Sequence, residues 1–487
     1  MTSAPASPRG PRATSLARER RRFLAAALLL AASCTALAWL PALSTPSGKS
    51  VALLAALAGA PFLALATLAL RALRHERRGA PLLSPLALVG GALLLRALVV
   101  AAPPWLSDDL WRYLFEGRVQ RAGFSPYVHA PDDPALAALR DELHGRVTYR
   151  DIPAVYPPAA QLLFRWLPES ALAWKAFVAL LDLAFIAWMV RRLARSGQAT
   201  RALLYAWNPL VVLEGAASGH LDLLGWCAAL LALHAAEPAA RRIGAHLHEL
   251  AVGALAGLAG MVKPQGFVAA LALLRPLRPV ALLGTLLAAL LLWLPFARDG
   301  SALFAGTLRY AHDWEFNGLC YPPLVRLGEQ LKESLEALPD QPLHLWRVRE
   351  IGYAIVPNQW ARKVAALLFL ALVALLLRRW RGRPLPLAFF ALAAFVATTP
   401  VVHPWYVAWL APFLPFLPAR CGRFALLLTV TVLFAHAVPA ERLASGQWRE
   451  PPWIALLTWW PPCLLFAFDS WRGHLAAAAA PPAVTRA

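Results

Sequence analysis

Apolar runs long enough to cross a bilayer recur from one end of this chain to the other, and nothing else constrains its fold as strongly. A spanning helix needs about 20 largely apolar residues, and lipid admits only helices and closed barrels. The 487 residues are 59% hydrophobic and 15% charged, whereas soluble domains carry roughly 25% charged residues. The reading is an all-α polytopic membrane protein. Apolar length and chain breakers put spans near 23–40, 51–70, 82–102, 171–190, 202–216, 221–236, 250–274, 279–296, 361–377, 385–402, 405–418, 424–440 and 453–468.

Lysine and arginine set the orientation. Basic clusters at Arg18 to Arg22, Arg71 to Arg78, Arg191 to Arg201, Arg241/Arg242, Arg275/Arg278, Arg378 to Arg383 and Arg420/Arg423 are expected on the cytoplasmic side. Parity then works only if 250–274 enters and leaves by the same face, and "GMVKPQGF" breaks that segment at Lys263, Pro264 and Gly266. The expected architecture is about twelve spans plus one broken hairpin. A basic tail (1–22) and a second tail (471–487) are cytoplasmic, around one transmembrane domain (23–470) in the inner membrane. Two long loops, 103–170 and 297–360, fall outside, so the chemistry is expected to face the periplasm.

The formal charge of +20 would suggest nucleic acid in a soluble protein. Here the arginines sit between spans, which the positive-inside bias explains, so no nucleic-acid partner is expected. The five cysteines form no CxxC pair, which leaves neither a zinc site nor a disulfide framework. "RERRRFLAAALLL" could be a signal peptide, but with so many later spans it is read as a retained first helix.

Polar residues at membrane depth are the candidates for function. The stretch "PPWLSDDLWRYLFEGR", 103–118, follows an apolar run and opens on two adjacent acids. As a helix beginning after Ser107, a good N-cap residue, it aligns Asp109, Arg112, Tyr113, Glu116 and Gln120 on one stripe. Such a helix lies in the interface plane, its stripe toward a cavity and its apolar face toward lipid or neighbouring spans. The plainer alternative is that the acids complement the helix dipole, worth about 0.3–1 kcal/mol. Adjacent carboxylates point to different faces, so only one is expected to face the cavity.

"SDDLWRYLFEGRVQRAGFSPY" followed by "PAVYPPAAQLLF" resembles the first external loop of GT-C glycosyltransferases, closest to their bacterial polyprenyl-phosphate-sugar-dependent, mannosyltransferase-like branch. "WNPLVVLEGAASGHLD", "VKPQGF", "YAHDWEFNG" and "VVHPWYVAWLAPF" follow in family order. The resemblance implies an enzyme: an inverting transferase that moves a hexose, mannose by likeness, from a polyprenyl phosphate to a periplasmic glycan or lipid acceptor. It implies a catalytic base in this loop, an acid four residues before an aromatic. Asp109, Arg112 and Tyr113 fit, with Asp108 in reserve.

The chemistry asks for two things. A sugar hydroxyl needs a base to take its proton, a contribution of about 10²- to 10⁴-fold. The departing lipid phosphate needs fixed cations, for which Arg112, Lys263 and His403 are the candidates. Lys263, inside an apolar segment, is a functional residue by default, with snorkelling as the alternative. Glu214, His220 and Asp222 form a second cluster, read as hydrogen-bonding sugar hydroxyls or as a helix turn. H-x-D alone is a weak metal signature. Beside His403, Trp405 and Tyr406 either stack on the donor or belong to an interfacial aromatic belt. Tyr156 fixes the loop's return to the membrane, and Trp314 and Asn317 could touch sugar or acceptor.

No Walker loop, dinucleotide fingerprint or GxSxG occurs. No cofactor is required, and a divalent cation is compatible but not indicated. The rival is a transporter or flippase of lipid-linked sugars, whose folds often carry internal repeats; this chain has none. A non-catalytic scaffold leaves the aligned charges unexplained.

Overall fold

A computed structural model describes residues 11–76, 83–237, 244–274, 276–338 and 343–478. Arg77, Arg78, Arg241, Arg242, Arg275 and the ends of both expected tails lie outside the described residues. The described chain is helical, with two isolated bridges, Leu274–Leu277 and Phe316–Val401, and no strand. Seven helices in it are long and apolar enough to cross a membrane, so the chain is an all-α, multi-pass membrane protein.

The helix α1 (Pro11–Ala38) packs on α2 (Gly48–Glu76) and α3 (Pro85–Val99). Ser84 caps α3 by accepting the Ala87 N–H at 3.1 Å. The first long loop then folds as α4 (Asp109–Arg121) against α5 (Pro158–Trp166) before the chain turns into α6 (Ala171–Ala194). After it come α7 (Asp222–Ala235), α8 (Ala245–Val262) and α9 (Pro279–Trp293). The second long loop contains α10 (Ala305–Asp313) and the amphipathic α11 (Tyr321–Glu336), and α12 (Pro357–Arg379), α13 (Pro384–Thr398), α14 (Ala419–Thr431) and α15 (Pro452–Ala478) complete the bundle.

Two segments expected to span, 202–216 and 405–418, are not continuous helices. Pro209 divides the first, which ends in a π-helical turn over Leu213–Ala217; Pro404, Pro412, Pro415 and Pro418 punctuate the second. Proline removes a helical N–H and clashes with the preceding turn. Both segments lie buried among the surrounding helices, a setting in which broken backbone is tolerated inside a membrane protein. Their sequences read as spans because burial in protein asks for the same apolar composition as burial in lipid.

A buried ion pair ties this interior together. The Arg96 guanidinium on α3 lies 2.6 Å from Asp182 on α6, and donates to the Ala206 carbonyl. Tyr205 donates to the other Asp182 oxygen and accepts from the Trp226 indole on α7. Between α8 and α9, Gly253 permits near contact: a Cβ there would lie 1.8 Å from the Ala281 carbonyl oxygen. Small residues at helix crossings let backbones approach closely in membranes.

Candidate functional site

Residues from several of the polar motifs line one cavity of about 1630 Å³, though Glu214, His220 and Asp222 do not. Asp108, Asp109 and Arg112 enter it from the first long loop, and Tyr310 and Trp314 from the second. Lys263 reaches it from the break after α8, and His403, Trp405 and Tyr406 from the segment after α13. The cavity continues between apolar walls that include Phe267, Leu271, Leu282, Phe369, Leu392 and Phe395.

The break that delivers Lys263 is built locally. Its φ of −156° and ψ of 138° are extended, Pro264 begins a short 3₁₀ turn, and 268–272 returns as a helical turn. Gly266 is packed so tightly that a Cβ would lie 2.2 Å from the backbone of Ala259. The Lys263 ammonium donates to Asp222 Oδ2 at 2.7 Å and stands 5.1 Å from the centre of the Tyr406 ring. Asp222 is wholly buried, and its other oxygen accepts from the Trp409 indole at 2.7 Å. Lysine has three donors, so one engaged N–H leaves others for a ligand.

Helix α4 begins at Asp109, one step later than a Ser107 cap would place it. Ser107 Oγ accepts the Asp109 N–H at 3.2 Å, and Asp108, at the cap position, caps nothing with its side chain. Asp109 keeps a quarter of its side chain open, at 25%. Burial, reinforced by the charge of Asp108, pushes its carboxyl up to about 7, against the opposing pull of Lys263 and a hydrogen bond from Tyr156. Asp108 turns to Arg442, whose Nη1 lies 3.4 Å from its Oδ2. The two acids therefore point apart, yet both line the same cavity, against the expectation that only one would.

The rest of the stripe is folded inward. Tyr113 is fully buried and stacks on Phe164 at 4.7 Å, its hydroxyl 3.5 Å from His220 Nδ1. Glu116 pairs with Arg112 at 2.7 Å and accepts from Gln161 at 2.5 Å, while Gln120 donates to Gln161. Both faces of α4 are covered by protein, so it does not lie against lipid as an interfacial helix would. Arg112 reaches the cavity edge, but all five of its donors are taken. One goes to Glu116 and the others to the carbonyls of Thr148, Tyr149, Ile152 and Pro153. It clasps the 148–153 loop and has no N–H left for a phosphate.

His220, Glu214 and His436 form a buried line behind Asp109. His220 Nδ1 lies 3.8 Å from Asp109 Oδ2, and His220 Nε2 lies 3.2 Å from Glu214 Oε2. Glu214 Oε1 lies 2.8 Å from His436 Nε2. Burial, with Lys263 nearby, holds His220 far below the usual histidine range, and likewise takes His403 down to about 3. Burial therefore favours the neutral imidazole at both. The His403 ring stacks between Trp405 at 4.3 Å and Phe316 at 4.9 Å, and His220 stacks on the far face of Trp405 at 4.1 Å.

Tyr406 exchanges a 2.9 Å hydrogen bond with Tyr310, on which Trp314 stacks at 5.1 Å. Asn317 is brought elsewhere: its N–H donates to Glu450 at 2.6 Å and its carbonyl accepts from Trp459, at a φ of 48° outside the cavity lining. Asp222 is held by Lys263 and Trp409, one donor on each oxygen. Among the described residues no group of three His, Cys, Asp or Glu is placed to hold a metal. Sequence reading missed His436, Trp409, Tyr310, Tyr149, Arg442 and Trp448. A histidine inside an apolar run was a signal for the first; the others meet the site only through tertiary packing.

Residues 21–276 match the family model described as "Alpha-(1->6)-mannopyranosyltransferase, N-terminal domain". An alpha-(1->6)-mannopyranosyltransferase of Mycobacterium tuberculosis (strain ATCC 25618 / H37Rv) is 26% identical over 427 residues, covering 72% of this chain and 69% of the relative. No solved structure matches the chain. The matched region carries the Asp109 loop, the Glu214–Asp222 cluster and Lys263, and it takes in more than half of the sequence. The chain belongs to the alpha-(1->6)-mannopyranosyltransferase family and is a GT-C-type, mannosyltransferase-like membrane glycosyltransferase.

Proposed function

We propose that this protein transfers mannose from a polyprenyl-phosphate donor to an extracytoplasmic glycan or lipid acceptor, inverting the anomeric carbon. One observation carries the reading: a single cavity joins a titratable carboxylate, Asp109, and a buried ammonium, Lys263, to apolar walls between helices. That combination suits a ligand with a charged head and a long hydrocarbon tail. The family likeness supports mannose, and the site's place on the two long loops, away from the basic clusters, supports an outward-facing reaction. On this reading the 23–470 region works as one transmembrane domain, with both termini in the cytoplasm of an inner-membrane protein.

Asp109 is the base. Poised near neutrality, it is ionised often enough to accept a proton and basic enough to take one. Lys263 holds the leaving phosphate, since an ammonium fixed in a water-poor site stabilises developing negative charge without reorganising. His403 donates a neutral hydrogen bond beside it, and the Trp405 and Tyr406 rings form the wall against which the donor sugar lies. Arg112 is left out of the phosphate set because its donors are filled. The Lys263 ammonium, with the His403 N–H beside it, serves the leaving group, so the proposed reaction calls for no cofactor.

The test gives purified protein a radiolabelled polyprenyl-phosphate mannose and a mannoside acceptor. Formation of a glycoside with inverted anomeric configuration is expected. Failure of transfer with every acceptor, together with movement of the donor across sealed vesicles, would favour a transporter instead.

A further inference from the structure

We propose that a second polar rim of the cavity, formed by Asp108, Arg442, Tyr149 and Trp448, is the acceptor subsite and holds the terminal hexose of the acceptor. The inference rests on the transferase reading above, and it assigns residues that reading does not use.

An acceptor hydroxyl must come within hydrogen-bond reach of Asp109, so its sugar has to lie against whatever adjoins that residue. In an inverting displacement the departing phosphate lies on the opposite face of the anomeric carbon. The acceptor therefore cannot share the Lys263 end. What adjoins Asp109 on its other side is Asp108, turned to Arg442 through a single 3.4 Å contact. Both side chains stay open, at 37% and 36% exposure, and both line the cavity. A planar guanidinium beside a carboxylate presents forked donors next to acceptors, the complement of neighbouring sugar hydroxyls.

Two aromatic surfaces flank this pair. Trp448 lines the cavity with its ring edge-on to Phe316 at 5.4 Å and remains 43% exposed. Tyr149 is 47% exposed and holds a φ of 50°, in the left-handed region. A non-glycine residue pays for that conformation and keeps it where the surroundings over-determine it, as at ligand clamps. The surroundings here are Arg112, bonded to the carbonyls of Thr148 and Tyr149, and Trp314, whose ring meets Tyr149 at 4.7 Å. Large rings with an apolar face and little conformational freedom suit the C–H face of a pyranose. Arg112 is thus a positioning residue for the acceptor wall.

The experiment measures separate KM values for donor and acceptor on the full chain in detergent, with Arg442→Gln and Trp448→Ala. Acceptors are a free alpha-(1->6)-dimannoside and the same sugar on a long alkyl chain. Each variant should raise both acceptor KM values about tenfold or more and leave the donor KM within about twofold. The acceptor form with the higher kcat/KM identifies the source of the sugar, free glycan or lipid-linked. Saturation-transfer NMR with the free dimannoside reads binding without turnover, so the wild type should give a signal that Arg442→Gln loses. That NMR result sustains the subsite even where no transfer is detected, which would sink only the transferase reading. Acceptor KM values unmoved in both variants, donor KM rising in step, or no dimannoside signal in the wild type overturns the proposal.

Discussion

The Lys263 ammonium lies 2.7 Å from Asp222 Oδ2, and this pair joins the break after α8 to the first turn of α7. The two residues stand 41 positions apart in motifs that read as separate sites. Both are buried, so removing one partner leaves the other charge uncompensated, at a cost of about 3–5 kcal/mol. Lys263→Met should therefore lower both thermal stability in detergent and transfer. Pairing it with Asp222→Leu should recover stability and leave transfer lost, since the phosphate's cation is still missing. Recovery of both would show the pair to be scaffolding.

Gly266 sets the placement of that lysine. A Cβ at this position meets the Ala259 backbone at 2.2 Å, and a backbone cannot give way as a side-chain tip can. Gly266→Ala should destabilise by about 1–3 kcal/mol, the usual range for overpacking, and reduce kcat by displacing Lys263. Differential scanning fluorimetry with the transfer assay checks both; an unchanged melting point with full activity contradicts the packing argument.

The pH profile reports on Asp109. With its carboxyl near 7, the proposed base is protonated well below that value and ionised above it. The log of kcat/KM should climb with pH and level off just above neutrality. Asp108→Asn removes a charge that raises the Asp109 carboxyl, so the rising limb should move to lower pH. Lys263→Met removes one that lowers it, moving the limb upward in whatever activity remains. Profiles of the three proteins that superimpose would remove Asp109 as the titrating group.

Much of the helical framework was legible in the apolar runs, because bilayer and bundle both select for them. The same indifference hid the two broken segments, where proline was the better guide. Tyr156 and the two prolines after it do mark a boundary, since α5 begins at Pro158; a second YPP, Tyr321–Pro323, likewise begins α11. Of the stripe on α4, Asp109 and Arg112 line the cavity, while Tyr113, Glu116 and Gln120 do not. Helical periodicity says which residues share a face, and only the packing of Gln161 and the 148–153 carbonyls shows that Arg112 and Glu116 are occupied. Asn317 shares a motif with Tyr310 and Trp314, which line the cavity, yet it lies outside the lining and its backbone N–H donates to Glu450. Arg442 and Trp448 carried no signal, since they lie more than 300 residues from Asp108.

On the proposed mechanism the two neighbouring acids have different work, Asp109 as base and Asp108 as a contact to Arg442. Single-turnover transfer by wild type, Asp109→Asn and Asp108→Asn, with donor binding measured alongside, tests it most directly. Asp109→Asn should bind donor normally and lose about 10²- to 10⁴-fold in rate, while Asp108→Asn keeps most of its rate at saturating acceptor. Equal transfer by Asp109→Asn and wild type, or a greater loss in Asp108→Asn, would contradict the account.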